Sequence, residues 1–262
     1  MEILTLHQEE PMILKQMKKT NYSYAGIALV ILVFGIIFIP RIVDRATSDD
    51  ITREESRSKK ASTQASSDEP LAFLEINGEP KKVPAFSFTD QNGNTITNKD
   101  YEGKVYLVEF FFTTCPTICP RMSRNLVQIQ NNFSSYENFG VASFTINPDN
   151  DTQEVLKAYA EKYGITNPNW HLMTGNQDTI YALANEGFNL YTAEDGTVEG
   201  GFEHSGNFAL IDENGFIRSR TVNGNPLIYY NGIISEEEKY DEDGFKEEIT
   251  ILKEDIAKLL KE

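Results

Sequence analysis

The sequence holds two cysteines, and both fall in one short segment, Cys115-Pro116-Thr117-Ile118-Cys119. Two neighbouring thiolates can bind a soft metal or close into a disulfide, and their spacing leaves both chemistries open. A dithiol oxidoreductase ordinarily places two residues between its cysteines, whereas three stand here, which tilts the reading towards metal. Pro120 lacks an N–H and is comfortable only in the first turn of a helix, which places helix entry at about 117–120. Cys115 then belongs to the loop and Cys119 to the helix start. Unsatisfied N–H groups and the positive end of the helix dipole favour thiolate there, so both sulfurs are expected to be more acidic than a free cysteine.

Two thiolates leave a copper or zinc ion short of ligands, and the chain has three histidines to offer. His7 precedes a long apolar run on its presumed cytoplasmic side and is out of reach. His171 follows Trp170 at the start of a strand and reads as structural. His204 stands in Gly200-Gly201-Phe202-Glu203-His204-Ser205-Gly206, where the glycines permit a tightly bent loop. Its imidazole would complete a two-sulfur, one-nitrogen site, whose sulfurs suit Cu(I) while the nitrogen helps accommodate Cu(II).

The elements that position these residues follow from periodicity. KVYLVEFFFTT (104–114) is a nearly continuous β-prone apolar run, as expected of a central strand covered on both faces. After the cysteines, Met122, Leu126, Ile129 and Phe133 keep helical spacing, and 141–146 reads as another buried strand. Upstream, VPAFSFTDQNGNTIT (83–97) alternates around Asn92-Gly93, a hairpin signal. Downstream come a helix over 151–163 stopped by Gly164, a strand over 170–173, a helix over 178–185 and a closing hairpin turned at Asn214-Gly215. Residues 223–243 read as a loop insertion. The last stretch, 245–260, carries Phe245, Ile249, Leu252, Ile256 and Leu259 on one helical stripe. Strands alternating with helices, with a late antiparallel hairpin, predict an α/β mixed sheet flanked by helices.

Ahead of this domain, residues 22–43 (YSYAGIALVILVFGIIFIPRIV) carry no charge before Arg41 and as a helix would measure roughly 33 Å, enough to cross a bilayer. Tyr22 and Tyr24 stand where an interfacial aromatic belt would be, and Lys15, Lys18 and Lys19 favour a cytoplasmic N-terminus. No small-residue cleavage site follows, which favours an uncleaved anchor over a signal peptide. Residues 44–69 are polar and offer almost nothing to bury, the pattern of a flexible tether. The predicted organisation is a short cytoplasmic N-terminus (1–21), a transmembrane anchor (22–43), a flexible linker (44–79) and one domain (80–262). A net charge of -16 argues against a nucleic-acid partner, because phosphate binding needs clustered Lys and Arg.

FFTTCPTICPRM resembles the cysteine motif of the SCO (SenC) family of copper chaperones, and EHSGNFALIDENG resembles its histidine segment. Between them Ile146-Asn147-Pro148-Asp149-Asn150-Asp151-Thr152, VLKAYAEKYG and WHLMTG follow the family's order. The resemblance implies a thioredoxin-like fold, copper held by Cys115, Cys119 and His204, and metallation of the CuA centre of cytochrome c oxidase subunit II. It also implies a copper donor protein as partner and a domain on the outer side of the bacterial inner membrane. Thiol reduction at CuA is credited to the family as well, so a membrane-tethered thiol-disulfide oxidoreductase is the alternative reading. A peroxidase or a redox sensor on the same fold stands further behind. Asn147 replaces a usual Asp before Pro148, and Glu203 replaces a common Asp before the histidine. Those departures bear on how the histidine is oriented more than on the fold.

Overall fold

The seven residues Val105–Phe111 form a strand in which every side chain is buried, as a run apolar at nearly every position requires. In this computed structural model the strand is labelled β4, two-residue ribbons such as Glu75–Ile76 with Glu79–Pro80 being left unnumbered. It lies at the middle of a mixed sheet whose main path runs β1-β10-β9-β4-β5-β6-β2-β3. The members are β1 (Ala72–Phe73), β2 (Ser87–Asp90), β3 (Thr95–Thr97), β4, β5 (Phe139–Thr145), β6 (Trp170–Thr174), β9 (Asn207–Ile211) and β10 (Ile217–Ser219). β4, β5 and β6 are parallel neighbours, while β9 and β10 on one side and β2 and β3 on the other are antiparallel. The structure describes residues 26–36 and residues 70–262 other than 77, 199, 223, 224 and 228.

The chain divides into two compact units, Met1–Lys60 and Ala61–Glu262. Of the expected anchor over 22–43, residues 26–36 are helical with exposed apolar side chains, and the remainder lies outside the described residues, as does His7. Among the described residues no helix is long and apolar enough to cross a membrane. In the second unit, pairing starts within the stretch expected as linker, because Ala72 and Phe73 lie against Ser219 and Arg218 on the edge of the sheet. Leu71 beside them is buried in the core.

Helix α1 (Cys119–Asn132) lays Met122, Leu126 and Ile129 fully buried against the sheet, each worth about 1.5–3 kcal/mol of burial. Helix α2 (Gln153–Tyr163) starts on the Thr152 hydroxyl, which accepts from the Val155 N–H, and stops at left-handed Gly164. Helix α3 (Gln177–Ala182) winds on into a wider turn over Leu183–Phe188. The hairpin turns at Gly93 and Gly215 have φ of 82° and 80°, which explains the glycines at both.

Two expectations need correction. Helix α4 spans Ile249–Leu259, and Phe245, expected on its buried stripe, is 59% exposed. The Asp241 carboxylate accepts from the N–H groups of Asp243 and Phe245, closing a turn that keeps Phe245 ahead of the helix. The segment read as a plain insertion also carries a strand, β11 (Tyr230–Asn231), paired with Asn207 and Phe208 of β9. Three short hairpins escaped the sequence among the described residues: Glu75–Ile76 with Glu79–Pro80, Thr221–Val222 with Asn225–Pro226, and, next to the site, β7 (Thr192–Glu194) with β8 (Phe202–His204).

Candidate metal centre

β4 runs out into Phe112-Thr113-Thr114, and the chain then turns through Cys115 into α1, whose first residue is Cys119. Pro120 therefore occupies the first turn, as its missing N–H requires. Ile118 at the helix entry makes no side-chain cap, and since the N–H groups of Arg121 and Met122 return to its carbonyl, that of Cys119 is the one left to meet an anionic sulfur.

The turn is held from below by Asp151, which is fully buried. Its carboxylate accepts from the Thr113 N–H at 3.0 Å, the Thr113 hydroxyl at 2.5 Å, the Asn150 amide at 2.8 Å and the Thr145 hydroxyl. Four donors on one carboxylate fix the backbone two residues ahead of Cys115.

His204 arrives from the other side at the end of β8, its backbone in register with Thr192. The loop that leads into β8 passes tightly over the cysteine turn. A Cβ on Gly200, whose φ is 94°, would lie 3.0 Å from Pro116 and 3.2 Å from the Phe112 ring. Phe112 also meets the imidazole edge to face, 5.8 Å between centroids. Nδ1 of His204 lies 3.1 Å from the Ser205 carbonyl, which can only accept, so Nδ1 carries a proton there. Nε2 faces the sulfurs, 3.1 Å from Cys119 Sγ.

Cys115 Sγ, Cys119 Sγ and a ring nitrogen of His204 all lie within 4.8 Å of one another, and all three residues are buried. The three sequence-predicted ligands thus come together, whereas His171 goes elsewhere, its Nδ1 resting 3.0 Å from Asp90. With metal–sulfur and metal–nitrogen bonds of about 2.3 and 2.0 Å, a planar three-coordinate ion needs sulfur and nitrogen about 3.7 Å apart. Cys119 and His204 must therefore part by about 0.6 Å, within the reach of a loop-borne histidine, and the donor set fits a soft thiophilic ion.

Only one of the sulfurs is acidic, against the expectation for both. Cys115 is drawn down to about 3, chiefly by a hydrogen bond from the Cys119 thiol, with burial opposing and His204 and the N–H groups of Cys119 and Thr117 assisting. Cys119 moves the opposite way, because it is 1% exposed and its ionisation would set a second anion beside Cys115. Helix-end electrostatics favour one thiolate, and burial with like-charge repulsion refuses the second.

Beneath the pair, β4 carries Glu109 at 2% exposure. Strand alternation puts it on the face of Phe111, whose ring packs on Tyr159, itself hydrogen-bonded to Ser123 of α1. The Ser143 hydroxyl donates to Oε1 at 2.7 Å, Oε2 has no partner, and burial pushes the carboxyl up to about 7. One acid inside the apolar run 104–114 was the signal for this residue. Asp151 gave none beyond its place ahead of a helix.

Fold and site together define a thioredoxin-like α/β protein with a Cys-Cys-His centre where its central strand meets a helix. The SCO1/SenC family model matches residues 75–228. The SCO1 protein homolog of Bacillus subtilis (strain 168) is 31% identical over 162 residues, which cover 59% of this chain and 80% of that protein. Among solved structures, a SCO1/SenC family lipoprotein from Bacillus anthracis str. Ames matches at 27% identity and a TM-score of 0.56, over 72% of this chain and 99% of its own. BsSco, described with a disulfide switch and as a member of the Sco family of cytochrome c oxidase assembly proteins, has the same fold at 24% identity. Its TM-score is 0.53, over 72% of this chain and 98% of its own. The chain belongs to the SCO1/SenC family. Residues 229–262 lie beyond the family match.

Proposed function

We propose that this protein takes up one copper ion through Cys115, Cys119 and His204 from a copper donor protein and passes it to the CuA centre of cytochrome c oxidase subunit II. It would work as a single-pass protein of the bacterial inner membrane, anchored by residues 22–43, with residues 44–69 as linker and the domain that begins near Leu71 on the outer side. The observation that carries the reading is the convergence of two sulfurs and an imidazole nitrogen within 4.8 Å. The ion is cargo, and each residue has a distinct part in handling it. Cys115 meets the ion already as thiolate. Cys119 keeps its proton until a cation offsets the second negative charge. His204 presents Nε2 to the ion, its ring held in place by the contact of Nδ1 with the Ser205 carbonyl. One acidic and one reluctant thiol give a site that releases cargo when a partner supplies competing thiolates.

A second reading, a membrane-tethered thiol-disulfide oxidoreductase, is favoured by the Cys115 thiolate beside a protonated Cys119. Cys115 would attack a partner disulfide and Cys119 would resolve the mixed disulfide. An S–S bond then forms here as the partner's breaks; two electrons and the Cys119 proton pass to the partner's sulfurs, and water supplies the proton of the second partner thiol. Copper titration of the reduced full chain, wild type against His204→Ala, separates the two. The metal reading expects one copper per wild-type chain, a thiolate-to-Cu(II) absorption band, and at least about tenfold weaker binding in the variant. Equal copper affinity in both proteins would remove the three-ligand site, and a dithiol reductase activity indifferent to His204 would favour the second reading.

A further inference from the structure

The segment beyond the family match reaches back to the site. Its root is fixed in the core: Tyr230 is fully buried, donates its hydroxyl to Asp255 of α4 at 2.8 Å, and belongs to β11, paired with Asn207 and Phe208 three and four residues past His204. From there the chain bridges the two halves of the ligand set. On the histidine side, the Gly232 N–H donates to the Gly206 carbonyl at 2.8 Å, and Ile233 fills the space above Gly206 so closely that a Cβ there would lie 2.2 Å from its Cδ1. On the cysteine side, the Asn125 amide in α1 donates to the Gly232 carbonyl at 2.8 Å. Two residues past Cys119, Nη2 of Arg121 donates to both carboxylate oxygens of Glu238 at 2.9 Å. Glu238 is itself fixed by the N–H and hydroxyl of Ser235.

Gly232 is thus the pivot. Its N–H grips the loop that carries His204, and its carbonyl is gripped by the helix that carries Cys119. Asn125 is 2% exposed, and a buried amide oriented by a backbone carbonyl is a costly arrangement to maintain without purpose.

We propose that residues 230–238 form a clasp, keyed by Asn125 and latched by Arg121 and Glu238, that sets the position of His204 against Cys119 and thereby the rate at which copper leaves. The proposal rests on the copper reading above. Asn125 and Glu238 are positioning residues, because neither reaches the ion. The latch is exposed and weak, the key buried and strong. A partner that displaces Glu238 from Arg121 would loosen the histidine half of the site while both sulfurs keep hold of the ion.

The test uses the full chain, reduced and loaded with cupric sulfate, as wild type, Asn125→Ala, Glu238→Gln and His204→Ala. The expected result is one copper in both clasp variants, with absorption and electron paramagnetic resonance of the Asn125→Ala protein moved towards those of His204→Ala. Copper loss to a chelator should be about tenfold faster for Asn125→Ala and about twofold faster for Glu238→Gln. Iodoacetamide labelling of Cys119 in the metal-free proteins should rise in the same order. Asn125→Ala with a lowered Tm but wild-type spectrum and release rate would overturn the clasp, leaving Asn125 a packing residue. If Asn125→Ala fails to fold, Glu238→Gln decides alone, and unchanged release and labelling in it reject the proposal. A wild-type chain that binds no copper defeats the copper reading separately, and the clasp then stands or falls on Cys119 labelling.

Discussion

Glu109 offers the sharpest test of how burial governs this site. In the unfolded chain its carboxyl ionises near 4.5, while in the folded protein burial pushes it up to about 7, opposed only by the Ser143 hydrogen bond. Below the lower value the carboxyl is protonated in both states and exerts no pH effect. As pH rises between the two values the unfolded chain releases a proton that the folded protein retains, so stability falls. The loss is complete above the folded value and amounts to about 3 kcal/mol at 1.36 kcal/mol per unit. Glu109→Gln keeps an acceptor for Ser143 and removes the ionisation, so the variant should lack this decline. Trp170 is the only tryptophan, is buried, and donates to Ser143 at 2.9 Å, which makes its fluorescence a local reporter of urea unfolding. Plotted from about pH 4 to pH 9, the stability difference between variant and wild type should grow in the variant's favour by about 3 kcal/mol, the contributions of other groups cancelling. A difference that stays flat across that range would refute the reasoning, because a carboxyl insensitive to pH there is not titrating in an apolar interior.

Two further outcomes follow from the same geometry. Asp151→Asn sets an amide donor among four donors and should cost about 3 kcal/mol, with faster hydrogen exchange at the Thr113 N–H; unfolding midpoints equal to wild type would remove Asp151 as the anchor of the cysteine turn. Cys115, drawn down to about 3, is thiolate throughout the neutral range, so its alkylation rate should stay flat from about pH 5 to pH 9, where an ordinary thiol accelerates steeply. Mass spectrometry should find Cys115 modified well before the buried Cys119, and equal rates at the two sulfurs would reverse the assignment of the proton between them.

Much of the architecture was legible because local chemistry dictates it. A seven-residue strand buried on both faces is apolar at nearly every position, so β4 announced itself in 104–114, Glu109 being the exception. Pro120 marked the start of α1, and the glycines at 93 and 215 marked turns that need φ > 0. These are one-dimensional signals, written within a few residues of the feature they specify. Hairpin β7–β8 was not legible, since its strands are three residues each and its pairing depends on a loop folding over Pro116 and Phe112.

At the site the division is the same. Residue types and order sufficed to nominate Cys115, Cys119 and His204, because only sulfur and imidazole are soft enough donors and only three histidines exist. Acidity was a different matter. Helix position alone argued for two acidic thiols, and only the packing revealed that Cys119 lies at 1% exposure beside an existing thiolate, where a second charge is refused. The contacts of the 230–238 segment were likewise invisible, because Gly232, Asn125 and Gly206 are ordinary residues until folding sets them against one another across about a hundred positions of chain. Sequence by itself nominated the donor atoms of the candidate site, since donor chemistry belongs to residue type. Tertiary structure decided which of those atoms is charged and what holds them in place, since desolvation and long-range contact exist only once the chain is packed.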